Sequence, residues 1–155
     1  MHPTTELLLY ESARSQLIDE TIRPGLNRNE ILISDRFTDS TLAYQGYGRL
    51  ISLSTIQKIN ELVCGKIHPD RTYFLDISWE ISLQRRSLLS PDSDRMEKEQ
   101  MDFFNRVRNG YLQIAENQPD RICLLDGSKS VTELEQEIFQ DVMILLKKST
   151  TNIYL

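Results

Sequence analysis

Short runs of apolar residues alternate with amphipathic stretches along this chain of 155 residues, and the alternation limits the folds it can adopt. Three runs, at residues 30–35, 72–77 and 122–125, are continuously apolar at their centres, as in strands buried on both faces. Stretches with helical periodicity separate them. Strands that alternate with helices form parallel sheets covered on both faces, so the pattern predicts a three-stranded α/β fold.

Apolar spacing and capping signals predict the helices. They cover residues 5–22, 40–48, 53–64, 78–89, 97–118 and 130–148. Pro24 is expected to end or break the first helix, and Gly65 to follow the third as its C-terminal glycine. Ser130 and Glu133 fit a capping box that starts the last helix. No linker or repeat interrupts this pattern, so we predict one domain over residues 1–148 and a tail at 149–155.

Charge and cysteine content exclude several classes of function. The 18 basic and 23 acidic side chains give a net charge of −5, so we expect no nucleic-acid partner. The longest apolar runs are far shorter than the roughly 20 residues that span a bilayer, so we expect no membrane partner. No signal peptide opens the sequence, and Cys64 and Cys123 lack a metal-binding spacing. These features predict a cytoplasmic protein with reduced thiols.

An acid and an arginine follow the first predicted strand. Ligands bind at the carboxyl ends of strands in parallel sheets, which is where Asp35 and Arg36 should lie. A carboxylate there can hold a metal ion or its water shell, and a guanidinium can bind a phosphate at two points. The alternative is that Asp35 caps a turn and pairs with Arg36. Spacing alone does not separate the two interpretations.

Two further groups of arginines are candidates for anion binding. Tyr10 and Arg14 are four residues apart and share a helix face that is otherwise apolar, so Arg14 needs an anion, a cleft or an internal carboxylate. Arg85 and Arg86 precede a polar loop that Arg95 follows. Such a loop can act as a lid that closes on phosphates, although a solvated charged loop is the simpler interpretation.

The segment Asp35 to Gly46, with the sequence DRFTDSTLAYQG, resembles the signature of bacterial thymidylate kinases, which transfer the γ-phosphate of ATP to dTMP. Residues 7–14 resemble the helix that precedes this signature in the family. Residues 94–97 and 103–108 resemble the exit of its lid and the helix that follows. The resemblance extends from residue 5 to about residue 138. It implies an ATP-dependent, cytoplasmic kinase that acts on dTMP and forms homodimers.

The resemblance also implies roles for residues at the substrate site. Tyr10 would stack on thymine, and Arg14 would bind the base edge or the phosphate. Arg36 would bind the phosphate of dTMP. Thr41 and Gln45 would read the thymine edge, where buried polar contacts discriminate strongly between bases.

For the phosphate donor, the resemblance implies Mg²⁺ and ATP. Asp35 would position Mg²⁺ through water, so that Asp35, Arg36 and Arg85 would be the catalytic side chains. Arg85, Arg86 and Arg95 would belong to the lid that covers ATP.

The sequence contains no G-x-x-x-x-G-K-[ST] segment, the loop that cradles ATP phosphates. We therefore interpret the chain as the C-terminal part of an incomplete P-loop kinase fold that binds ATP weakly or not at all. In the family, the P-loop strand lies between the strands that end at Asp35 and Asp76, so we expect a gap or repacking there, and marginal stability. The alternative function is a non-catalytic nucleotide-binding or interaction module on the same scaffold. A kinase for another nucleoside monophosphate is disfavoured by Thr41 and Gln45.

Overall fold

A two-stranded parallel sheet forms within residues 1–87 and 97–151, which are the residues that this computed structural model describes. Strand β1 (Thr72–Asp76) pairs with β2 (Ile122–Asp126) in register, so that Asp76 lies opposite Asp126. The helices are, in chain order, α1 (Pro3–Leu17), α2 (Arg23–Asn27), α3 (Thr38–Thr41), α4 (Leu53–Cys64), α5 (Trp79–Ser87), α6 (Glu97–Asn117) and α7 (Val131–Thr151). Two π-helical segments, Ile18–Ile22 and Leu42–Gly48, follow α1 and α3. The parallel strands and their helices agree with the predicted α/β class.

The strand predicted at residues 30–35 is wrong for the described structure. Residues 30–34 have no regular secondary structure, and the sheet has two strands among the described residues rather than three. A strand needs a neighbouring strand for its backbone hydrogen bonds and a cover for its apolar side chains. Among the described residues neither is present, because β1 and β2 form the sheet without this segment and the side chains of Ile31 and Ile33 are 67% and 95% exposed.

The first helix does not end at Pro24, contrary to the prediction. The chain stays helical from Pro3 to Asn27, because the π-helical segment Ile18–Ile22 widens the turn ahead of the proline. The N–H of Arg23 donates to the carbonyl of Ile18, five residues earlier. Pro24 then lies in the first turn of α2, where a backbone N–H is not required.

Two predicted helix ends are confirmed. Gly65 follows α4 with φ of +58°, a conformation that costs glycine little. At the start of α7, the N–H of Ser130 donates to the Glu133 carboxylate at 2.9 Å, and the N–H of Glu133 donates to the Ser130 hydroxyl at 3.3 Å. The same helix extends to Thr151, so the predicted tail at 149–155 is helical at its beginning. Residues 152–155 lie outside the described part of the chain.

The apolar core joins the sheet to α6 and to the π-helical segment Leu42–Gly48. Its buried members are Ala43, Val107, Ile114, Ala115 and Ile122. On β1, the ring of Phe74 stacks on that of Tyr111 at 4.5 Å between centroids. This packing holds the segment after Arg36 against α6 and the sheet. No helix within the described residues is long and apolar enough to cross a membrane.

Candidate functional site

Arg36 lies in a strained turn that directs it towards an aromatic ring. Its φ is +69°, in the left-handed region, which costs a residue other than glycine on the order of 1 kcal/mol. Its guanidinium lies over the ring of Tyr44, 4.8 Å from the centroid. Asp35, beside it, is exposed to solvent. A strained, exposed arginine next to an aromatic ring is a candidate for anion binding.

Arg36 lines a cavity of about 690 Å³, here named the strand-end cavity, which begins where β1 ends. This volume lies within the range of small-molecule sites. Aromatic rings and arginines dominate its wall. The residues around it are Arg36, Tyr44, Phe74, Leu75, Ile77, Trp79, Ser82, Arg86, Gln100, Phe103, Phe104, Val107, Arg108 and Tyr111.

The three arginines of the strand-end cavity differ in their partners. Arg108 is bound at two points by Asp76, at 2.5 and 2.8 Å, and this hydrogen bonding raises the pKa of the Arg108 guanidinium. Arg86 lies over the ring of Trp79 at 4.7 Å, as Arg36 lies over Tyr44. Arg108 is therefore neutralised by a carboxylate, whereas Arg36 and Arg86 make their described contacts with rings. The cavity wall consequently favours an anion.

Arg14 is held by groups of the protein itself. It pairs with the carboxylate of Glu11, donates to the Thr41 hydroxyl at 2.8 Å and donates to the carbonyl of Phe37 at 3.1 Å. The Thr41 hydroxyl in turn donates to Glu11 at 2.9 Å. Glu11 and Thr41 are both 2% exposed. The geometry thus matches the alternative of an internal carboxylate partner for Arg14.

A second group of polar side chains also joins α1 to the segment that follows Arg36. The side-chain amide of Gln45, 4% exposed, donates to Glu6 at 2.9 Å, and Arg49 donates to the same carboxylate at 3.1 and 3.3 Å. Burial of Glu6 raises its pKa, but the bonds from Arg49 and Gln45 outweigh this effect and lower the pKa overall. We name these two polar groups together the α1 contact. Its members are Glu6, Glu11, Arg14, Phe37, Thr41, Gln45 and Arg49.

Asp39 was given no role in the sequence analysis, yet it anchors the segment after Arg36. Its carboxylate is 5% exposed and is bound at two points by Arg121, at 2.7 and 2.8 Å. The Thr72 hydroxyl donates to it at 2.9 Å. The start of each strand is thereby tied to α3. Asp39 lies within the DRFTDSTLAYQG segment, but its partners Thr72 and Arg121 are distant in sequence.

The remaining predicted site residues are dispersed. Tyr10, on α1, is 57% exposed and does not line the strand-end cavity. Arg85 and Arg86 lie exposed in the last turn of α5, and Arg86 reaches the cavity. Arg95 lies outside the described residues. Sequence reasoning missed Tyr44, although its position within the DRFTDSTLAYQG segment was a usable signal.

Comparisons with known proteins match this chain to thymidylate kinases. A family model described as thymidylate kinase matches residues 1–138. A thymidylate kinase of Kosmotoga olearia is 38% identical over 148 residues, which are 96% of this chain and 71% of the relative. One from Lactobacillus helveticus is 41% identical over 155 residues, 99% of this chain and 71% of the relative. One from Dehalococcoides mccartyi is 47% identical over 144 residues, 93% of this chain and 68% of the relative.

A solved structure supports the same relationship. The crystal structure of thymidylate kinase from Ehrlichia chaffeensis superposes with a TM-score of 0.73 at 29% identity, over 92% of this chain and 66% of that one. This chain therefore spans about two thirds of the length of the proteins it matches. From the family match and these identities, we conclude that the chain belongs to the thymidylate kinase family, whose members phosphorylate dTMP.

Proposed function

We propose that this chain carries the dTMP site of a dTMP kinase, with the phosphate of dTMP bound in the strand-end cavity. The observation that carries the proposal is the strained turn at Arg36, which places an exposed guanidinium on the wall of an aromatic cavity. Residues held in this region cluster at ligand sites, and among the positive-φ residues other than glycine in the described structure Arg36 alone lines the cavity. A guanidinium binds a phosphate at two points, which a lysine cannot do.

The base would be recognised from the α1 contact. The exposed ring of Tyr10 suits stacking on thymine. The amide nitrogen of Gln45 donates to Glu6, so the amide oxygen would accept a hydrogen bond from the thymine imide N–H. Thr41, one helical turn before Gln45, and Arg14, which donates to Thr41 from α1, would complete the base edge. Buried polar groups of this kind reject bases that cannot pair with them.

Asp35 would hold Mg²⁺ through water, and ATP would lie beside it. Mg²⁺ keeps several waters and is commonly bound by one or two carboxylates together with substrate phosphates, so a single exposed carboxylate next to Arg36 fits it. Among the described residues, no three His, Cys, Asp or Glu side chains converge to hold a metal without a substrate. Arg85 and Arg86, together with Arg95, would neutralise the phosphates of ATP, which is the protein's main contribution to phosphoryl transfer.

Calorimetric titration of dTMP, inorganic phosphate and ATP against the 155-residue chain tests the proposal. We expect Arg36→Lys to weaken dTMP and phosphate binding about tenfold or more, because lysine cannot bind at two points. Arg23→Lys is the matched control, since Arg23 is exposed and pairs with Asp19. Loss of binding in both variants, or in neither, would contradict the proposal. ATP is expected to bind more weakly than dTMP, and turnover with tight ATP binding would overturn that expectation.

We also propose that a second copy of the chain covers α1. Leu8 and Leu9 are adjacent on this helix and are 53% and 57% exposed, which favours burial against a partner. A homodimer would lower the solvent exposure of both. Light scattering of the wild-type chain should give a dimer mass and Leu9→Glu a monomer mass, and a monomeric wild-type chain would refute this part of the proposal.

A further inference from the structure

Glu11 is a buried carboxylate at the centre of one polar group of the α1 contact. It is 2% exposed, it pairs with Arg14, and it accepts a hydrogen bond from Thr41. Its second oxygen, Oε2, has no hydrogen-bond partner among the described residues. A buried ion pair with an unsatisfied oxygen is a poor way to stabilise a fold, because apolar side chains of similar volume do as well or better. The arrangement therefore calls for a role other than stability.

We propose that Glu11 is a positioning residue of the dTMP site, which holds the Arg14 guanidinium and the Thr41 hydroxyl in one orientation. This inference rests on the proposed function, in which Arg14 and Thr41 contact the base. Glu11 itself contacts no substrate; it acts through these two neighbours.

The hydrogen bonds show how Glu11 fixes both groups. The Thr41 hydroxyl donates its hydrogen to Glu11 and accepts a hydrogen bond from Arg14. These two bonds fix the orientation of the hydroxyl group. The guanidinium of Arg14 is held at one nitrogen by Glu11 and Thr41 and at another by the carbonyl of Phe37. Without the carboxylate, the Thr41 hydroxyl loses its acceptor and Arg14 its counter-charge. Both groups would then sample several orientations.

The same contacts place Glu11 on the base side of the site. Phe37 directly follows Arg36 in the chain. Its carbonyl accepts a hydrogen bond from Arg14, and its ring centroid lies 5.3 Å from the Arg14 guanidinium carbon. Arg36 itself contacts Tyr44 in the strand-end cavity and not the α1 contact. Loss of Glu11 should therefore impair recognition of the base and spare recognition of an isolated phosphate. This difference separates positioning from a general structural role.

Glu11→Gln is the informative variant, because it keeps the shape and one acceptor oxygen but removes the charge. Glu20→Gln is the matched control, since Glu20 lies further along the same helical run, is exposed and accepts from Gln16. Thermal unfolding of each variant establishes that it is folded. If Glu11→Gln does not fold, Glu11→Asp, which keeps the charge on a shorter side chain, replaces it.

The first measurement uses no ligand. Nitrogen-15 NMR reports the rotation rate of the Arg14 guanidinium in the wild-type chain and in each variant. We expect slow rotation in the wild type and in Glu20→Gln, and fast rotation in Glu11→Gln. Fast rotation in the wild type, or no change in Glu11→Gln, would overturn the inference.

The second measurement compares dTMP with inorganic phosphate by calorimetry. We expect Glu11→Gln to lower the affinity for dTMP about tenfold and that for phosphate less than about twofold, as loss of one charge-assisted hydrogen bond predicts. An equal loss for both ligands, or no loss for either, contradicts a positioning role. A wild-type chain that binds neither ligand contradicts the proposed function, and the NMR measurement then still decides whether Glu11 holds Arg14.

Discussion

The α1 contact and the strand-end cavity use similar side chains, but they satisfy them in different ways. In the α1 contact, the side chain of Arg14 is only 12% exposed and donates hydrogen bonds to Glu11, Thr41 and a backbone carbonyl. In the cavity, Arg36 is exposed and packs on a ring. The first arrangement joins two helices, whereas the second leaves a positive charge for a ligand. Burial and partners, rather than residue type, therefore decide what each arginine can do.

Substitutions in the two regions should also differ in whether they affect stability or ligand binding. A charge that is buried and paired becomes costly when its partner is removed, because the remaining charge cannot reach water. A charge that faces a cavity is solvated with or without its neighbour. Substitutions in the α1 contact should thus alter folding first, and substitutions in the strand-end cavity should alter ligand binding first. The following predictions test this division.

The largest effect is expected for Arg14→Ala. It leaves the Glu11 carboxylate buried without its counter-charge, which costs about 3 kcal/mol or more of unfolding free energy. Urea unfolding followed by circular dichroism measures the loss. Arg23→Ala, at an exposed pair with Asp19, should change stability by less than about 0.5 kcal/mol. Equal effects of the two substitutions would mean that the α1 contact is not the buried connection described above.

Gly48→Ala should destabilise the chain by about 1–3 kcal/mol. A Cβ at this position would lie 2.7 Å from Phe103 and 2.8 Å from Val107, so α6 would have to shift, and this overpacking outweighs the helix propensity gained. Phe103 is part of the cavity wall, so dTMP affinity should fall as well. Calorimetry and urea unfolding measure the two effects. A variant as stable as the wild type would show that the packing behind the cavity is looser than this geometry implies.

Arg36→Gly should leave stability within about 1 kcal/mol of the wild type while it removes dTMP binding. Glycine relieves the left-handed strain, and this gain offsets the lost contact with Tyr44. Leu50→Gly is the matched control, because Leu50 also has a positive φ, of 61°, and does not line the cavity. It should retain dTMP binding. A stability loss of several kcal/mol in Arg36→Gly would place Arg36 with the structural arginines.

The smallest effect concerns Glu6 and acid. Its pKa is lowered in the folded chain: burial raises it, but the bonds from Arg49 and Gln45 lower it more. A depressed pKa adds stability that is present above the unfolded value near 4.5 and is lost as pH falls through the folded value. Glu6→Gln should therefore flatten the stability profile below about pH 5 by a few tenths of a kcal/mol, as expected for a pair near the surface. Urea unfolding at pH 4 and pH 7 measures the slope, and an unchanged slope contradicts the assignment.

The regular elements of this chain were largely predictable from local pattern. The bounds of α4, α6, β1 and β2 match the predicted segments within one or two residues, because apolar periodicity and caps act over a few residues. The π-helical passage ahead of Pro24 was not predictable, since it depends on a hydrogen bond between Ile18 and Arg23 that sequence rules for proline do not anticipate. The strand at residues 30–35 failed for a different reason: a strand requires a neighbour, and apolar composition does not supply one.

The site was predictable as a set of residues but not as an arrangement. The DRFTDSTLAYQG segment and the resemblance of residues 7–14 indicated the correct family before any geometry was known. The sequence did not show which of those side chains face a ligand. Thr41 and Gln45 were predicted to read a base, yet both are bound to glutamates of α1 that the sequence analysis did not single out. Their roles at the base remain a prediction.

By itself, the sequence determined the α/β class, the family and most helix and strand positions, because these depend on periodicity, caps and a contiguous motif. Only the tertiary structure decided that Arg14 is internally paired while Arg36 lines a cavity, and that Asp39 holds α3 to the strands. The physical reason is that the pairing of a charge depends on which groups the fold brings within hydrogen-bond distance. Arg121 is 82 residues from Asp39, and no local pattern encodes that approach.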